Sequence, residues 1–463
     1  MKFLYFYRVP VPDPRADAVQ IINTCAGIAR AGVVVVLHVE TLAAASTAEC
    51  LAFYGLAVPS VKAGGALEVN AIGSHWSWPF FDWKVGGIIK KHSGGQGCLF
   101  VREVRPYVPG LMAKAKAAGM KVIFEAHNIS ASLVKEKHGK IAGGSAAAPY
   151  TFSMVTPEGK TALKLMGEGP AHDDGHGHAH DDDEAGRHAA PGALPPNLDE
   201  SPAPPPRPAV EDAGARKMRL KAEGRAQLEA SIVAAADGLI CTQKATLAGL
   251  EHLLRPGTPT TVLGNGTCLP PARPAVAKDI DVLYCGSLKP WKGVDTLVAA
   301  MQTLYPWKLT IVGPGTREDL DRVRQAALAV GVIERVKILP PVKPADVWDL
   351  YARAKVGVIP LPDAAYVEAR DFTSPLKLFE MMAAGLPIVC SRLKSLQEYV
   401  SDGREALMVT ADDPRPLAEG LRRILTDENL RNGLAAAALT RVGEFTWDAR
   451  GRKIADFASG LFG

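Results

Sequence analysis

The chain has 463 residues, 47% of them hydrophobic, and a formal net charge of +4. That length exceeds one ordinary domain and suits two or three. The charge is too mild to argue for nucleic-acid binding, though it leaves room for an anionic small molecule or a loose membrane-surface contact. The longest apolar runs, such as Gly32-Val-Val-Val-Val-Leu-His38, are strand-length and fall far short of the ~20 residues that cross a bilayer. The first residues, Met1 to Arg8, hold too short an apolar run for a signal peptide and no small-residue cleavage site. They read as a first strand, and the expected location is cytoplasmic, at most peripheral at the inner face of a membrane. Seven cysteines (25, 50, 98, 241, 268, 285 and 390) contain no Cys-x-x-Cys pair. Buried reduced thiols are expected, rather than a zinc site or a redox pair.

Short apolar runs alternate with amphipathic, alanine-rich stretches. In the first half, strands are expected at Lys2–Phe6, Val33–His38, Cys98–Val101, Lys121–Glu125, Gly238–Cys241 and Thr261–Leu263. Helices fall at Ala18–Ala31, Leu111–Ala118, Leu220–Ala235 and Ala245–Leu254. In the second half, strands fall at Val282–Cys285, Leu309–Val312, Val336–Leu339, Val356–Ile359, Pro387–Cys390 and Ala406–Val409. Helices lie at Val294–Leu304, Glu318–Val330, Ala345–Ala354, Leu376–Ala384, Pro416–Leu425 and Leu430–Val442. Such alternation predicts parallel sheets covered on both faces, and two blocks of it predict an α/β protein with two Rossmann-like domains. The domains are expected at 1–270 and 271–446, with a proline-rich seam at Leu269–Lys278. A last helix, 447–463, lies beyond the second sheet, and crossing back onto the first domain is one course open to it.

From about Gly139 to Gly214 the periodicity stops. This stretch holds His172-Asp-Asp-Gly-His-Gly-His-Ala-His-Asp-Asp-Asp-Glu184 and Ser201-Pro-Ala-Pro-Pro-Pro-Arg-Pro208. Its composition buries too little apolar surface to offset ordering entropy, so residues 140–214 are expected to form a disordered insertion. His172, His176, His178, His180 and His188 could ligate zinc, copper or nickel, but solvated low complexity is the favoured reading and no metal is assigned.

Three constellations in the second half could carry chemistry. In Asp371-Phe-Thr-Ser-Pro-Leu-Lys-Leu-Phe-Glu-Met-Met-Ala-Ala-Gly-Leu-Pro-Ile-Val-Cys390, Ser374 suits an N-cap and Pro375 a first helical turn. Free N–H groups around Leu376 and Lys377 would attract phosphate. Glu380 follows roughly 6–7 Å further along the axis, where a carboxylate can accept from both hydroxyls of a ribose. In Val282-Leu-Tyr-Cys-Gly-Ser-Leu-Lys-Pro-Trp-Lys-Gly-Val-Asp295 a strand ends at Gly286. Lys289 and Lys292 then bring cations to the strand's C-terminal end, where open parallel sheets bind ligands. Ile311-Val-Gly-Pro-Gly315 is a further strand and glycine-rich loop, without the spacing of a nicotinamide fingerprint.

Together these stretches resemble glycosyltransferase family 4, in Gly286-Ser-Leu-Lys-Pro-Trp-Lys-Gly293, Val312-Gly-Pro-Gly315 and Glu380-Met-Met-Ala-Ala-Gly-Leu-Pro-Ile-Val389. The resemblance is good over roughly 280–445 and fainter in Phe124-Glu-Ala-His-Asn128 and Val262-Leu-Gly-Asn-Gly266. It implies a GT-B fold and a retaining transferase that moves a sugar from a nucleotide-diphosphate sugar to a hydroxyl of a glycan or lipid-linked acceptor. It also implies bacterial-type polysaccharide, glycolipid or glycoconjugate synthesis. By resemblance, Lys292 neutralises the diphosphate and Glu380 holds the ribose. Gly286, Ser287, Gly313, Ser374, Leu376 and Lys377 line the donor site, Val342 meets the base, and His127 faces the donor sugar. No metal or other cofactor is implied beyond the co-substrate itself. Two positions depart from the pattern. Ser287 stands where the family has arginine, with Lys289 a candidate replacement, and Phe372 stands where it has the first glutamate of Glu-x7-Glu. The N-terminal Gly-Gly loop is also absent. Arg15 lies there instead and could contact acceptor or phosphate. A sugar-nucleotide epimerase of the same fold and a non-catalytic sugar-nucleotide-binding protein are the competing readings.

Overall fold

A computed structural model describes residues 1–57, 65–73, 80–127, 129, 154–155, 161–162, 213–270, 276–364 and 367–463. One compact unit comprises Met1–Gly139 with Lys221–Gly463, and a separate one comprises Lys140–Leu220. In the separate unit two short strands, β6 (Met154–Val155) and β7 (Thr161–Ala162), pair antiparallel. Most of 139–214, including the His-rich tract, lies outside the described residues.

The main unit holds two parallel sheets. The first contains β1 (Lys2–Val11), β2 (Val34–Leu42), β3 (Ala66–Ala71), β4 (Gly97–Val101), β5 (Lys121–Ala126), β8 (Gly238–Cys241) and β9 (Thr260–Val262), in the spatial order β3-β2-β1-β4-β5-β8-β9. The second contains β10 (Ile280–Cys285), β11 (Leu309–Val312), β12 (Val336–Leu339), β13 (Ala354–Ile359), β14 (Ile388–Ser391) and β15 (Leu407–Val409), in the order β12-β11-β10-β13-β14-β15. All pairings in both sheets are parallel. The central strands are buried on both faces, and each sheet separates two hydrophobic clusters. The fold class is therefore the expected one, two Rossmann-like layers built from runs rich in Val, Ile and Leu.

The helices owe their ends to local chemistry. Helix Arg317–Ala329 starts in a capping box between Thr316 and Asp319. Helix Pro414–Thr426 begins at Pro414 behind an Asp413 cap and buries Leu417, Ala418, Leu421 and Ile424 along one stripe. Elements not read from the sequence include β3 and the helices Thr47–Phe53 and Phe80–His92. β3 is a sheet edge that buries only Leu67 and Val69 between exposed polar positions, too few to form an apolar run. Phe80–His92 carries Gly86-Gly87, which weakens helix propensity.

The last helix, Trp447–Ser459, is capped by Thr446 and packs on helix Ala16–Arg30 of the first layer. Gly27 and Gly451 make the crossing: a Cβ on Gly451 would stand 2.1 Å from the Gly27 carbonyl carbon. Ile454, Ala455 and Ala458 enter a hydrophobic cluster of the first sheet, and Arg30 pairs with Asp448.

Candidate active site

The C-terminal ends of β10, β11 and β13 come together through their loops, and the start of helix Leu376–Ala383 reaches the end of β10 through Lys377. The β10 loop is shaped by a short turn of 3₁₀ helix, Pro290–Lys292, that ends at Gly293 in the left-handed region (φ 71°). A side chain there would also drive a Cβ to 1.7 Å from the Pro360 carbonyl oxygen, so the loops after β10 and β13 touch backbone to backbone. Gly313 allows the same between β11 and β10, since its Cβ would lie 2.0 Å from the Gly286 oxygen. The loop is stitched further by Leu288 N–H donating to the Pro314 carbonyl (2.9 Å) and by the Tyr284 hydroxyl donating to the Ser287 carbonyl (2.8 Å).

Three lysines reach this corner and differ in their partners. Lys289 Nζ lies 2.9 Å from Asp319 in the helix cap, so its charge is already matched. Lys377 Nζ sits 4.2 Å from the centre of the Tyr284 ring and is buried without a hydrogen-bond partner. It points at Gly286, where an added Cβ would be 2.5 Å away. Burial first, and the like charge of Lys292 second, lower its pKa to about 7. Lys292 pairs with no carboxylate among the described residues, and burial lowers its pKa as well. Of the three, Lys292 and Lys377 stand close together without an ion pair among the described residues.

Glu380 lies one turn into helix Leu376–Ala383. It accepts from the buried Tyr351 hydroxyl at 2.8 Å, and burial raises its pKa. Tyr351 was not singled out in the sequence, although it is the side chain that aims this carboxylate. Val342 packs partly buried against the same core.

The helix start differs from the sequence reading. Pro375 is the capping residue, Leu376 is the first helical residue, and no side chain caps the helix. Ser374 is engaged elsewhere. Its hydroxyl accepts from Asn265 N–H at 3.0 Å, and its carbonyl accepts from the Asn265 side-chain amide at 2.6 Å. With Gln243 donating to the Thr373 carbonyl and Tyr399 to that of Thr242, this contact joins the two layers. Phe372 is 7% exposed and packs in a hydrophobic cluster of the first layer, while Asp371 is held by Arg370 at 2.7 Å. Neither position supplies a free carboxylate.

On the first layer, Arg15 is exposed and paired with Asp13 at 3.0 Å. His127 follows β5, at the C-terminal end of the sheet. Its Nε2 lies 3.2 Å from Glu125 Oε2, and burial first, then Arg102, lower its pKa to about 4. Glu125 is fully buried. Burial alone would raise its pKa, but Arg450 and His127 outweigh this and hold it below the usual carboxylate range. Sequence reading missed Glu125, Arg102 and Arg450, whose grouping depends on distant parts of the chain. The cysteines are all free, and all but the half-buried Cys268 are buried. Among the described residues, no helix is long and apolar enough to cross a membrane, and no group of three or more His, Cys, Asp or Glu side chains could hold a metal ion.

Comparison with known proteins matches this geometry. The family described as Glycosyl transferases group 1 matches residues 279–427. A D-inositol 3-phosphate glycosyltransferase from Acidothermus cellulolyticus is 31% identical over 244 residues, 48% of this chain and 52% of the relative. The chain spans only about half the length of the curated relatives it matches. Among solved structures, a sucrose-phosphate synthase from Thermosynechococcus elongatus aligns with a TM-score of 0.60 and 17% identity, over 100% of this chain and 99% of that one. HepE from Anabaena, in complex with UDP, aligns at 0.61 and 15%, over 99% and 100%. The chain has the GT-B fold, and most of its second α/β layer, residues 279–427, matches the family described as Glycosyl transferases group 1.

Proposed function

We propose, from that domain and from the pocket it holds, that the chain is a retaining glycosyltransferase using a nucleoside-diphosphate sugar, with a hydroxyl of a glycan, polyol or lipid-linked sugar as acceptor. The observation that carries this is the pair Lys292 and Lys377, neither of them in an ion pair among the described residues, at the start of the helix that also holds Glu380. As the glycosidic bond breaks, negative charge gathers on the leaving diphosphate. Lys292, Lys377 with the proton a bound diphosphate restores to it, and the first-turn amides of the helix are set to receive it before the bond breaks. Glu380, aimed by Tyr351, would accept from the ribose hydroxyls. Closing of the two layers would exclude water from the activated sugar.

With cations already in place, this reading expects transfer to survive chelation of divalent metal. The neighbour bound to UDP supports a uridine nucleotide, and the relatives' name supports a polyol phosphate among acceptors. A cytoplasmic site of action, reached from the inner membrane face where the acceptor is a lipid, fits the same chemistry.

The test is a thermal-shift series with nucleoside diphosphates and their sugars, followed by transfer from labelled donor to an acceptor panel, with and without EDTA. Stabilisation by a nucleoside diphosphate with transfer to an acceptor supports the proposal, since a ligand that binds only the native state raises its stability by mass action. Conversion of donor to an isomer would make the protein an epimerase. Binding without turnover would make it a sugar-nucleotide sensor.

A further inference from the structure

We propose that Arg450 and Glu125 lock His127 as the neutral tautomer protonated on Nε2, so that Nδ1 presents a lone pair to a sugar hydroxyl in the cleft. The hydroxyl contact rests on the glycosyl-transfer reading above, whereas the tautomer rests on the structure alone.

Five elements converge on Glu125. Helix Ala16–Arg30 brings Gln20 and Thr24, the loop after β4 brings Arg102, and β5 carries Glu125 itself. The loop after β9 brings the Gly264 carbonyl, and the last helix brings Arg450. Arg102 donates to the Gln20 side-chain oxygen and, at 3.2 Å, to the Asp17 carbonyl. That fixes the Gln20 amide and leaves its NH₂ to donate to Glu125 Oε1 at 3.3 Å. Arg450 donates to the same Oε1, to Thr24 Oγ1 at 3.2 Å and to the Gly264 carbonyl at 2.9 Å. Arg450 is 3% exposed and Glu125 0%, so both charges depend on this pairing.

Glu125 Oε2 and His127 Nε2 lie 3.2 Å apart, both buried, in a close contact that is not aligned as a hydrogen bond, and neither atom has any other hydrogen-bond partner. A carboxylate only accepts, so the contact is favourable only when Nε2 carries a proton. A second ring proton is opposed by burial and by the two guanidinium groups of Arg102 and Arg450, which outnumber Glu125. The ring is therefore neutral and Nδ1 is unprotonated. The side chain keeps 17% of its surface exposed, and Nε2 but not Nδ1 is among the buried atoms without a partner, which leaves Nδ1 as the ring nitrogen for a ligand at the sheet's C-terminal end. Glu125 and Arg450 are positioning residues, and the second reaches across from the far end of the chain.

The experiment labels histidine with ¹⁵N in the full-length protein and records two-bond ¹H–¹⁵N correlations near neutral pH, with His127→Ala for assignment. The expected pattern is a neutral ring protonated on Nε2; an Nδ1–H or doubly protonated ring overturns the tautomer. Titration with UDP, UDP-glucose and acceptor then separates the sources of the hydroxyl. A shift of His127 Nδ1 with UDP-glucose but not UDP assigns it to the donor, and a shift with acceptor alone assigns it to the acceptor. No shift with any of them overturns the contact. A wild-type protein that shows the tautomer yet transfers no sugar would sink the transferase reading and leave the tautomer standing. Glu125→Gln alone would strand Arg450, so the second arm is the double variant Glu125→Gln/Arg450→Gln, which removes both buried charges. It is expected to keep its UDP affinity within about twofold, to show a mixture of His127 tautomers, and to lose roughly tenfold in kcat, the scale of one positioned hydrogen bond. An unchanged His127 spectrum in that variant overturns the role of the pair.

Discussion

Ser287 stands where the sequence resemblance expects an arginine, and Lys377 reaches the same corner from a different element. Lys289 was the candidate replacement in the sequence, but Asp319 already holds it. The pKa of Lys377, about 7 in the fold against 10.5 for an ordinary lysine, gives the exchange a measurable signature. Between those two values the unfolded chain holds a proton that the folded chain lacks. Stability is therefore lowest below about pH 7 and climbs as pH rises through the window. Lys377→Met should stabilise the protein against urea at low pH, with the gain fading toward pH 10.5; a gain that is constant with pH would rule the assignment out. A bound diphosphate should restore the missing proton. Calorimetry of UDP binding at pH about 8, in buffers of different ionisation enthalpy, should show proton uptake in the wild type and none in Lys377→Met. Lys292→Ala and Glu380→Ala should each cost at least roughly tenfold in turnover or donor affinity, the loss of one charge-assisted contact. Unchanged kinetics in both would remove the site. These three residues were legible because a strand, a loop and a helix start write them into short local patterns. Tyr351, 29 positions from Glu380, and Arg450, 325 positions from Glu125, were not, because only the folded chain brings them to their partners.

At the scale of elements, the buried parallel strands announced themselves as apolar runs, and the elements that escaped notice lie where burial is thin. β3 needs only two inward side chains because it closes a sheet edge. The start of helix Leu376–Ala383 was misplaced for a different reason. Ser374 has the right chemistry for a cap, but Asn265, from the other layer, claims its hydroxyl. A tertiary contact thus overrides a local preference. Phe372 follows the same logic, since it spends its side chain on joining the layers rather than on a ligand. The crossing of helices Ala16–Arg30 and Trp447–Ser459 depends on Gly27 and Gly451, each pressed against the other helix's backbone. Gly451→Val must push the helices apart, and overpacking of this kind costs on the order of 1–3 kcal/mol or more. Urea unfolding should show that loss while UDP binding to the surviving native protein is little changed, because the second sheet does not take part in the crossing. A variant as stable as wild type would mean that the helices do not meet as closely as described.

At the scale of the molecule, the chain leaves the first layer to build the second and then returns. The return has an electrostatic consequence. Truncation after Thr446 removes Arg450, which donates directly to Glu125, and leaves that carboxylate with Gln20, His127 and the charge of Arg102. It also uncovers the face of helix Ala16–Arg30 and the apolar cluster that Ile454, Ala455 and Ala458 complete. Removing one partner of a buried pair is among the most destabilising single changes, so this short truncation should abolish soluble expression. Deletion of residues 145–210, a far longer piece, should have the opposite outcome. It spares every strand of both large sheets and every residue placed at the site. β5 and β8 stay hydrogen-bonded neighbours, and shortening the connection between them lowers the entropy of closing it, a term that varies only slowly with length. The deleted protein should express in soluble form, bind UDP as before and transfer sugar within about twofold of wild type. Loss of the fold on that deletion, or a soluble and active truncation after Thr446, would mean that the His- and Pro-rich stretch, rather than the returning helix, completes the first layer.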